Sequence, residues 1–413
     1  MKKILCIALV LIFAFGALAG CGSGGTNTTP SASPSASADG SASPSASGGA
    51  ANGGTIKIGI LGPLTGEAAQ YGIAVSHGAQ LYIDQINDAG GINGKKIETV
   101  VYDDKGDPTE SVNAFSRMVD EGITGLIGPV TSKPTLAVVD EALTYNMPLI
   151  TASATAAAVT YNADTQTVNT NVFRTCFIDP FQGEKMAQFA NDVLKAKTAA
   201  VIFQTGDDYS VGLKDAFVAK CEELGINVVD QEGYSKGDKD FKSQLTNINS
   251  KSPDVVFSPN YYEDDGMLVT QARQAGIKAT FMGGDGWNNV SKYASPADLE
   301  GSVYCSGYAS GSTDEIKAFE AAFTAKYSGE TPDMFSAQAY DAAIVLLDAI
   351  KAAEEKGLEA GSDDYKAAVI DAMKNTTSVG LGGKYSFDEY NNPIKSAVIM
   401  KLADGKETFS QMF

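Results

Sequence analysis

Histidine and tryptophan are almost missing from this chain: each occurs once among 413 residues, at His77 and Trp287. A single imidazole, with five cysteines at no metal-ligand spacing, leaves little from which to assemble a zinc site. Positive charge is scarce as well, 31 Lys and Arg against 50 Asp and Glu, for a net charge of −19. So acidic a chain lacks the basic face that nucleic acid or anionic lipid would need as a partner. After the first twenty residues no apolar run is long enough to span a bilayer. Catalytic motifs fail for want of parts. Gly233-Tyr234-Ser235-Lys236-Gly237 has the letters of a nucleophile elbow, but that elbow needs a following helix and a downstream histidine, and His77 lies far upstream. The glycine-rich stretch 89–96 lacks the leading Gly and the closing Ser or Thr of a phosphate loop. Asp103-Asp104-Lys105-Gly106-Asp107 lacks the later ligands of a calcium loop. The expectation is a protein that is not an enzyme and carries no cofactor or metal.

What is present begins with Met1-Lys2-Lys3, an apolar run from Ile4 to Leu18, and Leu18-Ala19-Gly20-Cys21. A basic start, a short apolar stretch and small residues before a cut site describe a secretory signal peptide over 1–20. The Leu-Ala-Gly-Cys ending resembles the lipobox of bacterial lipoproteins, which implies cleavage before Cys21 and a diacylglycerol on its thiol. Residues 22–54 are almost wholly Gly, Ser, Ala, Thr and Pro, with SASPSAS at 31–37 and again at 41–47. No core can form from them; they read as a flexible tether of roughly 30 Å. Segment 21–54 is thus expected to be anchor and linker, holding the folded part at the outer face of the bacterial cytoplasmic membrane. Removal of Lys2 and Lys3 with the signal takes the net charge from −19 to −21. Of the cysteines beyond Cys6 and Cys21, Cys176, Cys221 and Cys305 read as buried free thiols, with one disulfide left open.

From Thr55 short β-branched runs alternate with amphipathic helices, the pattern of parallel sheets covered on both faces. One series has strands IKIGIL, IETVVYD, GLIG and PLIT with helices near 69–89, 108–121 and 133–145. A second has strands AAVIFQ, INVVDQ, DVVFS and ATFMGG with helices near 180–196, 208–224, 239–250 and 263–275. SVYCSGY, helices at 313–327, 334–356 and 363–375, and closing strands KYSFD, SAVIMKL and ETFSQMF complete the chain. Two similar β/α sets make an internal repeat of architecture. Within the first, TGLIGPVTSKPTLAVVDEALTYNMPLITASAT at 124–155 sends two strands into hydroxylated, uncharged turns. Open parallel sheets bind ligands beyond their strand carboxyl ends. Such turns beside a helix N-terminus can receive a small anion such as a carboxylate. Ser132 and Ser153 as plain turn and N-cap residues is the competing reading.

The order of segments is similar to that of the leucine/isoleucine/valine-binding proteins, extracytoplasmic receptors of branched-chain amino acid ABC transporters. It is carried by IGILGPLTGEAAQYG (58–72), YIDQINDAGGINGKKIE (82–98), VYDDKGDP (101–108), GLIGPVTS (125–132), LITASAT (149–155), GDDYSVG (206–212), PNYYEDDG (259–266) and QARQAGIKATFMGGDGWNNVS (271–291). The resemblance implies an α/β fold of two Rossmann-like lobes with parallel sheets, the type I periplasmic binding protein fold, joined by three crossovers. Lobe I would be 55–174 plus 309–392 and lobe II 175–308 plus 393–413. The hinge would run through VFRTC, VYCSGY and the stretch near Asn392-Pro393. For an amino acid ligand it points to Val130, Ser132, Ser153, Ala154 and Thr155 at the carboxylate and to Asp285 at the ammonium. Tyr71, Tyr209 and Tyr261 would close the pocket, and Trp287 would fill volume or stack on the ligand. Asp285 stands where the best-known relatives have the longer Glu, which leaves the side-chain preference open among branched-chain, smaller, polar and aromatic amino acids. Delivery to ABC permease subunits by a monomer is implied. A receptor for amide- or urea-like solutes, a ligand-sensing receptor and a hydrolase built on Ser235 are the alternatives.

Overall fold

The computed structural model describes residues 54–412. The expected signal peptide, the lipidated Cys21 and nearly all of the tether lie outside the described residues.

The first body is built from β1 (Thr55–Gly62), α1 (Ala69–Asp88), β2 (Lys96–Asp103), α2 (Pro108–Asp120), β3 (Gly125–Ile127), α3 (Ser132–Thr144) and β4 (Leu149–Thr151). A two-stranded ribbon, β5 (Tyr161–Asn162) and β6 (Thr167–Val168), precedes β7 (Val172–Arg174). The sheet runs β2-β1-β3-β4-β7, parallel throughout. A parallel sheet is covered on both faces, hence continuous apolar strands. Ile56, Ile58 and Ile60 belong to the same core as Val75 and Ala79 of α1. Leu61, Val100 and Leu126 belong to another with Phe115 and Met118 of α2 and Val138 and Val139 of α3. Helix α2 starts where it does because Asp107 accepts from the N–H groups of Thr109 and Glu110, at 2.8 and 3.0 Å, with Pro108 at the first position.

The second body takes α4 (Asp179–Asp192), β8 (Thr198–Gln204), α5 (Asp208–Leu224), β9 (Asn227–Tyr234), α6 (Lys242–Lys251), β10 (Val255–Phe257), α7 (Tyr262–Gln274), β11 (Thr280–Gly283), α8 (Pro296–Leu299) and β12 (Val303–Ser306). After it come α9 (Asp314–Lys326), α10 (Met334–Glu355), α11 (Asp363–Lys374) and the ribbon β13 (Val379–Gly380) with β14 (Gly383–Lys384). The chain ends in β15 (Val398–Ala403) and β16 (Lys406–Met412). The second sheet has the order β16-β15-β12-β11-β10-β8-β9, with β15 antiparallel to β12 and to β16. Helix α10 packs on α1, so 314–374 returns to the first body. Cys176, Cys221 and Cys305 are buried and free. No described helix is long and apolar enough to cross a membrane.

One expected strand is absent. KYSFD pairs only at Lys384, within β14, and by an isolated bridge from Phe387 to Pro393. Its side chains are drawn inward instead, the Tyr385 hydroxyl donating to Asp341 at 2.8 Å. Helix α4 also stops short of 196, at Asp192, where Lys195 turns to a left-handed φ of 57°.

Candidate ligand-binding site

A cavity lies between the two bodies, lined by Tyr71, Val130, Thr131, Ser132, Ser153, Tyr209, Tyr261, Asp285, Gly286 and Phe335. Apart from Phe335, each of these follows the carboxyl end of a parallel strand, the place where open sheets gather ligand groups. Its volume is only about 10 Å³. The walls therefore stand close to contact.

On the first body the β3 turn and the β4 turn are tied together. Ser153 Oγ donates to the Val130 carbonyl at 2.7 Å, and Thr151 Oγ1 donates to the Pro129 carbonyl at 2.6 Å. Ser132 Oγ accepts from the Ala156 N–H at 3.1 Å, so its own proton is left to donate. Ser132 is the first residue of α3, and no side chain caps that helix, which leaves its first N–H groups directed at the cleft end. Arg174 props the β4 turn from behind. Its guanidinium, wholly buried, donates to the carbonyls of Ala154 and Ala156 at 3.0 and 2.9 Å and to Thr160 Oγ1 at 3.0 Å.

Asp285 faces them from the second body, 2% exposed, in a single 3-10 turn from Asp285 to Trp287. Gln182 grips it twice: Nε2 donates to Oδ1 at 3.1 Å, and Oε1 accepts from the Asp285 N–H at 2.9 Å. Burial pushes its carboxyl up to about 6, against the hydrogen bonds from Gln182 and Tyr209, which favour the charged form. A second buried acid, Asp179, heads α4 without bordering the cavity. Neither of its oxygens has a hydrogen-bond partner, and neither does Thr155 Oγ1 or the Tyr261 hydroxyl. Burial raises the Asp179 carboxyl well above its ordinary range, and the charge of Asp285 adds to it.

The aromatic wall is rigid. Tyr209 stacks on Tyr261 with centroids 5.0 Å apart, and Tyr71 meets Phe335 and Tyr262 edge-on, each at 4.7 Å. The Tyr71 hydroxyl spans the bodies, donating to the Gly286 carbonyl and accepting from the Tyr262 N–H at 3.0 Å. Gly286 must be glycine, since a Cβ there would lie 2.3 Å from the Asn260 carbonyl oxygen and 2.7 Å from the Tyr209 hydroxyl.

Of the residues singled out in the sequence, Tyr71, Val130, Ser132, Ser153, Tyr209, Tyr261 and Asp285 come together on this cavity, while Ala154, Thr155 and Trp287 do not border it. Ala154 gives its carbonyl to Arg174. The indole of Trp287 is spent in the core of the second body, Nε1 donating to the Ser258 carbonyl at 2.8 Å, so it neither fills the cavity nor stacks there. Phe335 and the supporting Asp179, Gln182 and Arg174 carry no mark of the site in the motifs of the sequence. A signal existed for two of them: Asp179 and Gln182 lie on the buried stripe of α4 with Gly183 and Met186, where polar residues are out of place. Ser235, by contrast, sits in an exposed turn with its N–H bound to Asp238.

Residues 55–407 match the periplasmic binding protein family. The chain is 35% identical to the Leu/Ile/Val-binding protein BraC3 of Rhizobium johnstonii, over 81% of this chain and 88% of that protein. It is 33% identical to the leucine-, isoleucine-, valine-, threonine- and alanine-binding protein of Pseudomonas aeruginosa, over 81% and 86%. The branched-chain amino acid transporter substrate-binding protein LivJ of Streptococcus pneumoniae, solved with isoleucine, superposes with a TM-score of 0.79 at 32% identity. The match covers 87% of this chain and 99% of that one. The leucine-binding protein LivK of Thermotoga maritima gives 0.78 at 32% identity, with the same coverage.

Proposed function

The chain belongs to the periplasmic binding protein family, with the type I fold, and from that premise we propose that it captures an aliphatic amino acid between its two bodies and hands it to an ABC importer. What supports the reading is the polarity of the cavity: N–H groups and the Ser132 hydroxyl on one wall, and the buried Asp285 on the other. A free carboxylate and an ammonium are the ends of an α-amino acid. In this reading the β3 and β4 turns take the carboxylate, and Asp285 takes the ammonium. Arg174 holds the β4 turn from beneath. Hydrogen bonds to charged groups contribute about 1.5–3 kcal/mol each, so three or four can anchor a small zwitterion. Tyr71, Tyr261 and Phe335 then bound the side chain with apolar ring faces. Relatives are named for leucine, isoleucine and valine, and one also for threonine and alanine.

Capture proceeds by closure. The ligand meets the first body's turns, and the second body swings about the passages at 175–178, 307–313 and 385–397, bringing Asp285 and Tyr261 onto it. The closed form is the one the permease recognises, and ligand biases the equilibrium towards it. Export, and tethering through a lipid on Cys21, complete the proposal. A neutral amide-like solute would leave Asp285 without a counter-charge, at the cost of a buried unpaired carboxylate. Calorimetric titration with leucine, isoleucine, valine, threonine and alanine tests the assignment. Asp285→Ala is expected to weaken the best of them at least tenfold; equal affinity in the variant overturns it.

A further inference from the structure

We propose that Asp333 is a latch: from outside the ligand cavity its carboxylate holds the two bodies shut by accepting the side-chain amides of Asn288 and Asn289, and so governs how long the ligand is kept. The inference rests on the closure reading above.

Asp333 belongs to the first body, at the N-cap of α10. A capping box fixes it: Oδ1 accepts from the Ser336 N–H at 3.0 Å, and Ser336 Oγ accepts from the Asp333 N–H at 2.8 Å. The second carboxylate oxygen is thereby presented to the other body. There Oδ2 accepts from Asn288 Nδ2 at 2.7 Å and from Asn289 Nδ2 at 3.0 Å. Both asparagines leave the same 3-10 turn that carries Asp285, and Asn289 holds a left-handed φ of 74°, a conformation asparagine accepts more readily than most residues. The movement that brings Asp285 to a ligand therefore brings two amides to Asp333. Neither Asp333 nor either asparagine lines the ligand cavity.

The latch opens instead on a second, wetter cavity of about 330 Å³, whose walls include Gln70, Asn288, Lys292, Asp333 and Glu407. Helix α1 and the first turn of α10 border both cavities. Lys292 Nζ donates to Gln70 Oε1 at 2.6 Å across the same gap. Two charge-assisted bonds in a dry site would give more than a hundredfold, but water in this cavity competes for both partners, and the expected effect is about tenfold.

Two sets of substitutions separate latch from helix cap. Asp333→Ser keeps a capping oxygen on α10 but is too short to reach the amides. Asn288→Ala with Asn289→Gly removes both donors, leaves α10 untouched, and tolerates the positive φ. With leucine, isoleucine, valine, threonine and alanine as probes, each set is expected to weaken binding about tenfold, through faster release in stopped-flow displacement. Combining the sets should lose no more than either alone, because they remove one shared interaction. Affinity and release rate within twofold of wild type for the asparagine pair, or losses that multiply in combination, overturn the latch. If wild type binds none of the probes, the amino acid reading fails separately. The latch is then judged by X-ray scattering of the unliganded proteins: a larger radius of gyration in both variants supports it, and an unchanged one overturns it.

Discussion

At the scale of single residues the protein turns on buried carboxylates. Asp285 is raised by burial to about 6, so between about pH 4 and pH 6 the native chain holds a proton that the unfolded chain releases. The unliganded protein should thus lose stability as pH rises through that window. Asp179, raised in the same direction, adds to the trend. An ammonium ligand needs the carboxylate charged, so its binding has the opposite preference. Affinity should fall on acidification through pH 6, approaching tenfold per unit, with proton release visible as buffer-dependent heats in calorimetry. An affinity flat from pH 7 to pH 5 would place the ammonium away from Asp285. Residues with a local signature were legible beforehand: Ser132 and Ser153 in small hydroxylated turns, Asp285 among glycines. Arg174 and Gln182 were not, because their roles come from partners far along the chain, Gln182 meeting Asp285 103 residues later.

At the scale of elements, the strand–helix alternation wrote itself into the sequence because parallel strands buried on both faces need unbroken apolar runs. The stretch after α11 did not follow that rule. KYSFD has strand-like letters, but Tyr385 and Phe387 turn onto the first body, Tyr385 bonding Asp341 and Phe387 setting its ring centroid 5.2 Å from that of Phe173, and no neighbour extends the ladder. Trp287 shows a related effect: a lone indole beside a candidate acid suggests a ligand platform, and in the fold its ring is buried with Nε1 bonded to the Ser258 carbonyl. Gly283 makes room for it, since a Cβ there would meet the indole at 1.9 Å. The bond from Nε1 to Ser258 leaves that ring little freedom to yield. Gly283→Ala is therefore expected to cost about 1–3 kcal/mol by overpacking, read as a lowered melting temperature. A variant that melts with wild type would mean the ring relocates freely.

At the scale of the whole molecule, the candidate cavity belongs to neither body alone. Turns from one sheet and an acid from the other line it together, and in the proposed closure contacts remote from the cavity help decide how often they meet. Lys133 Nζ reaching the Gly206 carbonyl at 2.8 Å is a further tie of this kind. The fold and the family could be read from segment order; the closing contacts could not, since each joins residues scores of positions apart with nothing local to mark them. What most directly tests the central claim is a paired titration of the wild-type protein with leucine and with 4-methylpentanoate, which differs only in lacking the amine. Leucine binding at least a hundredfold more tightly is the predicted result; equal affinity for the two would contradict it.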